Sequence, residues 1–102
     1  MNILLVCQCG MSSGLLMQTM QHYAEENNLD LKVNARNIDD FMEYIDGVDI
    51  VLIGPQIKHR EKEIRREIGE LHIPVLVLEM KDYGMANGGS VIETAAEYLK
   101  NK

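Results

Sequence analysis

The sequence predicts an α/β fold: a single domain over residues 1–102, with a four-stranded parallel sheet, helices on both faces and strand order 2-1-3-4. Three observations carry that expectation. Ile3-Leu4-Leu5-Val6 and Ile50-Val51-Leu52-Ile53 are unbroken apolar runs of strand length, the pattern of strands covered on both faces. Segments of helical period alternate with the strands as β-α-β-α-β-α-β-α, an order that selects a parallel sheet with crossover helices. The 102 residues contain no repeat, linker or low-complexity stretch, and that length is typical of one domain.

The first strand covers residues 2–7. A helix over 13–27 follows, with Leu15, Leu16, Thr19, Met20, Tyr23 and Ala24 at helical spacing, Ser12 or Ser13 as N-cap, and Asn27-Asn28 at its end. Leu29, Leu31, Val33 and Ala35 alternate with polar residues, which predicts a half-exposed edge strand. A short helix is expected from Asn37 to about Ile45, capped by Asn37 or Asp39 and stopped by Asp46-Gly47. The third strand, 49–53, is broken by Gly54-Pro55-Gln56. A charged helix over 57–71 keeps Ile57, Ile64, Ile68 and Leu71 on its apolar stripe. The fourth strand is 74–78, then a loop over 79–89. Ser90 is expected to cap a last helix with Val91, Ala95, Tyr98 and Leu99 buried.

Composition narrows the function classes. The formal net charge of −6 disfavours nucleic acid or an anionic membrane surface as partner, since phosphate backbones require Lys/Arg patches. The cations Lys58, His59, Arg60, Lys62, Arg65 and Arg66 gather in one helix. Glu61, Glu63, Glu67 and Glu70 offer them partners one turn away, and the alternative is a rim that steers an acidic protein. No apolar run approaches the ~18 residues of a membrane span, and the N-terminus lacks the basic region of a signal peptide. The expected location is the cytoplasm, without direct membrane insertion. Two cysteines in a C-x-C pattern suit that reducing compartment and suggest reactivity rather than a structural staple. His22, His59 and His72 lack ligand spacing, so no metal or other cofactor is expected.

Chemistry concentrates in Cys7-Gln8-Cys9-Gly10-Met11-Ser12-Ser13-Gly14. A strand passing through a small, Gly- and Ser-containing loop into a helix is an anion site, because loop N–H groups and the helix N-terminus converge there. Cys7 ends the strand. The helix field favours its thiolate, a nucleophile able to hold a phosphoryl group. Residues 8–14 would supply N–H donors, Ser12 and Ser13 hydroxyls, and Gly10 and Gly14 freedom to bend round the anion. Alternatively, Cys7 is a small apolar residue ending a strand. Loops 54–57 and 79–89 should converge on the same end of the sheet, the usual ligand crevice of such folds.

Low-molecular-weight tyrosine phosphatases place Cys-x5-Arg in a similar strand–loop–helix. Here the residue six after Cys7 is Ser13, so the arginine that clamps the transition state is missing. Asp82 is the one candidate for a leaving-group acid. A cysteine that accepts phosphate without the hydrolytic clamp suits a carrier.

Cys7-x-x-Gly10-Met11-Ser12-Ser13 before Leu15-Leu16, Gly54-Pro55-Gln56 after the third strand, and Tyr83-Gly84 with Asn87-Gly88 in the last loop together resemble a family. It is the enzyme IIB component of the bacterial phosphoenolpyruvate-dependent sugar phosphotransferase system (PTS), of the lactose/cellobiose (chitobiose) type. The resemblance spans the whole chain in order. It implies that Cys7 takes phosphate from a phosphohistidine on the IIA component. Cys7 would then pass it to a sugar, a β-glucoside or related disaccharide such as cellobiose, chitobiose or lactose, bound by the membrane IIC component. Gln8, Cys9, Gly10, Met11, Ser12, Ser13 and Gly14 become phosphate binders, Gln56 and Tyr83 site-shaping residues, and Met11 and Met85 part of an adaptable docking patch. Gln56 and Tyr83 could equally be loop-packing residues. Cys9 departs from the small, non-nucleophilic residue common in that family. It is either a harmless substitution or a partner for reversible oxidation with Cys7, across a strained ring.

Two rival functions share the loop. One is a phosphatase or arsenate-reductase relative that turns over a phosphate monoester unaided. The other is a non-catalytic anion- or partner-binding regulatory module.

Overall fold

In the computed structural model, which describes residues 1–8 and 11–100 (for 11–13 the backbone alone), β1 (Asn2–Cys7) leads to α1 (Met11–Glu26) and β2 (Lys32–Asn37). A 3-10 turn (Phe41–Tyr44) precedes β3 (Ile50–Ile53). Then come a 3-10 segment (Pro55–Arg60), α2 (Glu61–Ile68), β4 (Val75–Val77), α3 (Met80–Gly84) and α4 (Gly88–Lys100). The sheet is parallel in every pairing, with order β2-β1-β3-β4. This is the expected fold class and strand order.

Alternation along the buried strands divides the core in two. Ile3, Leu5, Ile50 and Leu52 face Leu16, Met20 and Ala24 of α1 and Val91, Ile92 and Ala95 of α4. Leu4, Val6, Val51 and Ile53 face Phe41, Ile45, Ile64 and Ile68 on the other side. The continuous apolar runs are explained: each residue has a covered face to occupy.

Several expected boundaries move. The first helix begins at Met11, so Ser12 and Ser13 lie in its first turn rather than at the N-cap. Its end is a Schellman motif. Asn28 is left-handed (φ 54), its N–H donates to Glu25 O (3.3 Å), and Leu29 N–H reaches Ala24 O (2.8 Å). Leu29 is therefore spent on the cap and is 44% exposed; the second strand starts later and ends at Asn37, not Ala35. The Asn37 side chain accepts the Asp39 N–H at 2.9 Å, turning the chain so that only a 3-10 turn follows.

The expected helix over 57–71 is in three pieces. Ile57 is non-helical (φ −119, ψ 25) after Pro55, and Gly69 at φ 53 stops α2. Leu71 falls beyond that stop and is exposed, as is Leu15 on α1. Glu61 pairs with Arg65 and Glu63 with Arg60, the solvated arrangement anticipated for this helix. Arg65 also donates to Val75 O at 3.1 Å, tying α2 to β4. The last strand is shorter than expected. The following loop contains α3, and α4 begins at Gly88, so Ser90 lies inside it rather than capping it.

Candidate functional site

Cys7 is the last residue of β1, an interior strand flanked by β2 and β3. It is buried, 6% exposed. Its backbone pairs with Asn37 and its carbonyl accepts the Ile38 N–H at 2.9 Å. The thiol donates to the main-chain carbonyl of Arg36 at 3.7 Å. From Cys7 the chain passes through residues 8–10 into α1, whose first-turn N–H groups have no intrahelical acceptor. The strand end, the cysteine and the start of a 16-residue helix thus follow one another closely along the chain.

The third strand brings the second loop alongside. Ile53 ends β3 opposite Val6, and Gly54 N–H donates to Val6 O at 3.0 Å. Around Gly54 the other two predicted site-shaping residues meet. A Cβ added there would lie 3.3 Å from Gln56 Oε1 and 3.4 Å from Tyr83 Cε2. Tyr83 is buried within α3, whereas Gln56 is exposed. Loops 54–57 and 79–89 therefore do approach one another next to the end of β1.

The remaining predicted residues are placed unevenly. Gln8 is exposed directly after β1. Cys9 and Gly10 lie outside the described residues, and for Met11, Ser12 and Ser13 only the helical backbone is described. Gly14 sits within α1 with nothing within 4 Å of an added Cβ, so crowding does not require glycine there. Met85, expected in a docking patch, is 75% exposed. Asp82 lines a crevice of about 100 Å³ at the β4 edge with Leu76, Leu78, Val91 and Thr94.

Among the described residues no cluster of His, Cys, Asp and Glu could hold a metal ion, and His22 pairs with Glu26 on α1. An open groove lined by Gln18, Thr19, His22, Tyr23, Glu26 and Gly89 lies between α1 and α4 and contains none of the predicted site residues. No helix among the described residues is long and apolar enough to cross a membrane.

Sequence reasoning missed the neighbours of Cys7 on β2. Arg36 and Asn37 fall beyond the alternating run ending at Ala35, where Asn37 reads as a helix cap and Arg36 carries no signal of its own. Pairing the whole of β1 with a partner strand of equal length would have reached them: Asn2 opposes Lys32, and Cys7 opposes Asn37.

Comparison with known proteins gives a consistent picture. The family model described as "PTS system, Lactose/Cellobiose specific IIB subunit" matches residues 2–94. The oligo-beta-mannoside-specific EIIB component of the PTS of Bacillus subtilis is 36% identical over 100 residues, covering 98% of this chain and 97% of that one. The galactose-specific EIIB component of Lactococcus lactis is 36% identical over 104 residues, covering 97% and 95%. The solution structure of a cellobiose-specific phosphotransferase IIB component from Borrelia burgdorferi superposes with a TM-score of 0.82 at 34% identity, covering 100% of this chain and 94% of that one.

Proposed function

The chain belongs to the lactose/cellobiose-specific IIB subunits of the PTS, and on that footing we propose that it is a cytoplasmic phosphoryl carrier, residues 1–102 acting as one IIB domain, with Cys7 as the residue phosphorylated. The observation that supports this most is the position of Cys7: it ends an interior strand where α1 begins, with Gly54 of the second loop bonded to the residue before it.

The chemistry is two in-line displacements. Cys7 Sγ attacks the phosphorus of a phosphohistidine on the IIA component; the N–P bond breaks, its electron pair returns to the imidazole, and the thiol proton is balanced by protonation of that imidazole. A sugar hydroxyl held by the membrane IIC component then attacks the same phosphorus. The S–P bond breaks, its electron pair stays on sulfur, and the proton lost by the sugar hydroxyl is balanced by reprotonation of the Cys7 thiolate. Such transfers depend on positioning and charge stabilisation. The N–H groups of residues 8–14 and the hydroxyls of Ser12 and Ser13 are the donors for the phosphoryl oxygens. Gln56 and Tyr83 shape the neighbouring wall. The absence of arginine from 8–14 favours relay over hydrolysis. The sugar is a β-glucoside or related disaccharide. Relatives of equal identity carry different sugar names, consistent with recognition residing in the IIC component.

Incubation with the phosphorylated IIA component followed by intact-mass measurement tests the reading. A single phosphate adduct is expected on the wild-type chain, absent from Cys7→Ser and retained by Cys9→Ser. A wild-type chain that stays unmodified would overturn the carrier. Turnover of a phosphate monoester by the chain alone would replace it with a phosphatase.

A further inference from the structure

Arg36 differs from Arg60 and Arg65 in how its guanidinium is held. Arg60 and Arg65 are each held by a glutamate on their own turn. Arg36 has no carboxylate at ion-pair distance among the described residues, although the chain carries a net charge of −6. Its guanidinium instead lies over the ring of Tyr44, with Cζ 4.0 Å from the centroid. Its Nε is buried and has no hydrogen-bond partner. A buried donor without an acceptor costs free energy and calls for an explanation. Yet its backbone is next to the cysteine: the carbonyl that receives the Cys7 thiol is that of Arg36.

The side chain does not serve Cys7 directly. Arg36 opposes Val6, whose side chain packs in the core on the Phe41 and Ile45 face, and Tyr44 belongs to the 3-10 turn on that face. Cys7, the next residue along β1, projects to the opposite face. The Arg36 backbone is therefore beside the reacting thiol while its guanidinium lies on the other face of the sheet at the same strand end, which suits contact with an incoming protein rather than with the phosphorus. Stacking on Tyr44, 43% exposed, fixes the plane of the guanidinium; with Nε buried, the two terminal nitrogens are the donors left to a bidentate acceptor. Arginine and tyrosine are also among the side chains most enriched at the energetic centres of interfaces.

We propose that Arg36, braced by Tyr44, is a positioning residue that receives a carboxylate of the phosphorylated IIA component and so sets its phosphohistidine over Cys7. This rests on the carrier reading above. Uncommitted charge on an otherwise acidic chain gives the contact its selectivity, and an acidic partner surface that lacked a matching carboxylate would be repelled.

The rate of Cys7 phosphorylation is measured against IIA concentration for wild type, Arg36→Gln and Arg36→Lys. Binding of phosphorylated IIA is titrated in parallel with Cys7→Ser and with Cys7→Ser/Arg36→Gln, where transfer cannot proceed. Arg36→Gln is expected to raise the half-saturating IIA concentration and the dissociation constant about 10- to 30-fold, with the maximal rate within about twofold and weaker salt dependence. Arg36→Lys restores the salt dependence but only part of the affinity, because an ammonium has no fork. Unchanged half-saturation, or a fall confined to the maximal rate, would overturn the docking role while leaving Cys7 as carrier. A wild-type chain that IIA never labels removes the carrier reading, and this inference with it.

Discussion

The thiol of Cys7 donates to the main-chain carbonyl of Arg36 at 3.7 Å, so the last residue of β1 is tethered sideways to the edge strand as well as leading on to α1. A thiol is a weak donor, and the tether constrains direction more than it contributes energy. Cys7→Ser places a stronger donor in the same position. It is expected to unfold cooperatively within about 1 kcal/mol of wild type in chemical denaturation while losing all phosphoryl acceptance. A collapse of stability in Cys7→Ser would mean that the cysteine is retained for packing.

Gly54 is where the second and third loops meet. An alanine Cβ would press on Gln56 Oε1 at 3.3 Å and Tyr83 Cε2 at 3.4 Å. Gln56 is exposed and can rotate; Tyr83 is 4% exposed and yields only if α3 shifts. Gly54→Ala is expected to cost about 1–2 kcal/mol and to slow phosphorylation of Cys7. Gln56→Ala in the same chain removes one collision, so the double variant should recover part of the loss. Strict additivity in that double-mutant cycle would show that the two side chains do not share the space around Gly54.

The fold was legible because its signals are local and redundant. Two-sided burial of β1 and β3 appears as unbroken apolar runs, and the alternation with helices leaves one sheet type. The approach of loops 54–57 and 79–89 beside the end of β1 was legible because Gly54-Pro55 and Tyr83-Gly84 mark breaks in the chain there. What failed to show were features set by partners distant in sequence. Nothing in Leu29 itself says that its N–H closes a helix cap at Ala24, and the missed extension of β2 to Asn37 depends on pairing with β1. Arg36 was hidden for the same reason: its neighbourhood with Cys7 exists only through strand register, and its tyrosine lies in the next turn. Leu15 fits helical spacing yet is exposed, because spacing alone cannot tell the edge of a stripe from its centre, and Leu71 is exposed because Gly69 ends α2 before it.

Ala86 stores backbone strain between α3 and α4. Its φ of 50 is left-handed, a conformation that costs an L-residue with a Cβ roughly 1–2 kcal/mol and that Asn, as at Asn28, tolerates better. Ala86→Gly relieves this at the expense of greater freedom in the unfolded chain. A net gain of about 0.5–1 kcal/mol is expected, seen as a rise of a few degrees in thermal unfolding. Destabilisation would indicate that the Ala86 methyl makes a contact worth more than the strain.

Gly88 and Gly14 give opposite expectations for the same substitution. The first residue of α4 lies directly against the middle of α1. A Cβ on Gly88 would sit 2.4 Å from Met20 N and 2.5 Å from the carbonyl carbon of Thr19. Both are backbone atoms of a helix, so no rotamer change can make room. The two helices would have to separate, loosening Met20 from Val91 and Ile92 in the core they share. Gly88→Ala is therefore expected to cost about 3 kcal/mol, despite alanine's higher helix propensity. At Gly14 an added Cβ meets nothing, so propensity acts unopposed and Gly14→Ala should gain up to about 1 kcal/mol. In a domain of this size each kcal/mol moves the melting temperature by roughly 4–8 °C, so the two variants should melt well apart on either side of wild type. If Gly88→Ala melted at or above wild type, the close approach of α4 to α1 would be wrong, and with it the packing that sets the start of α4 beside Thr19 and Met20.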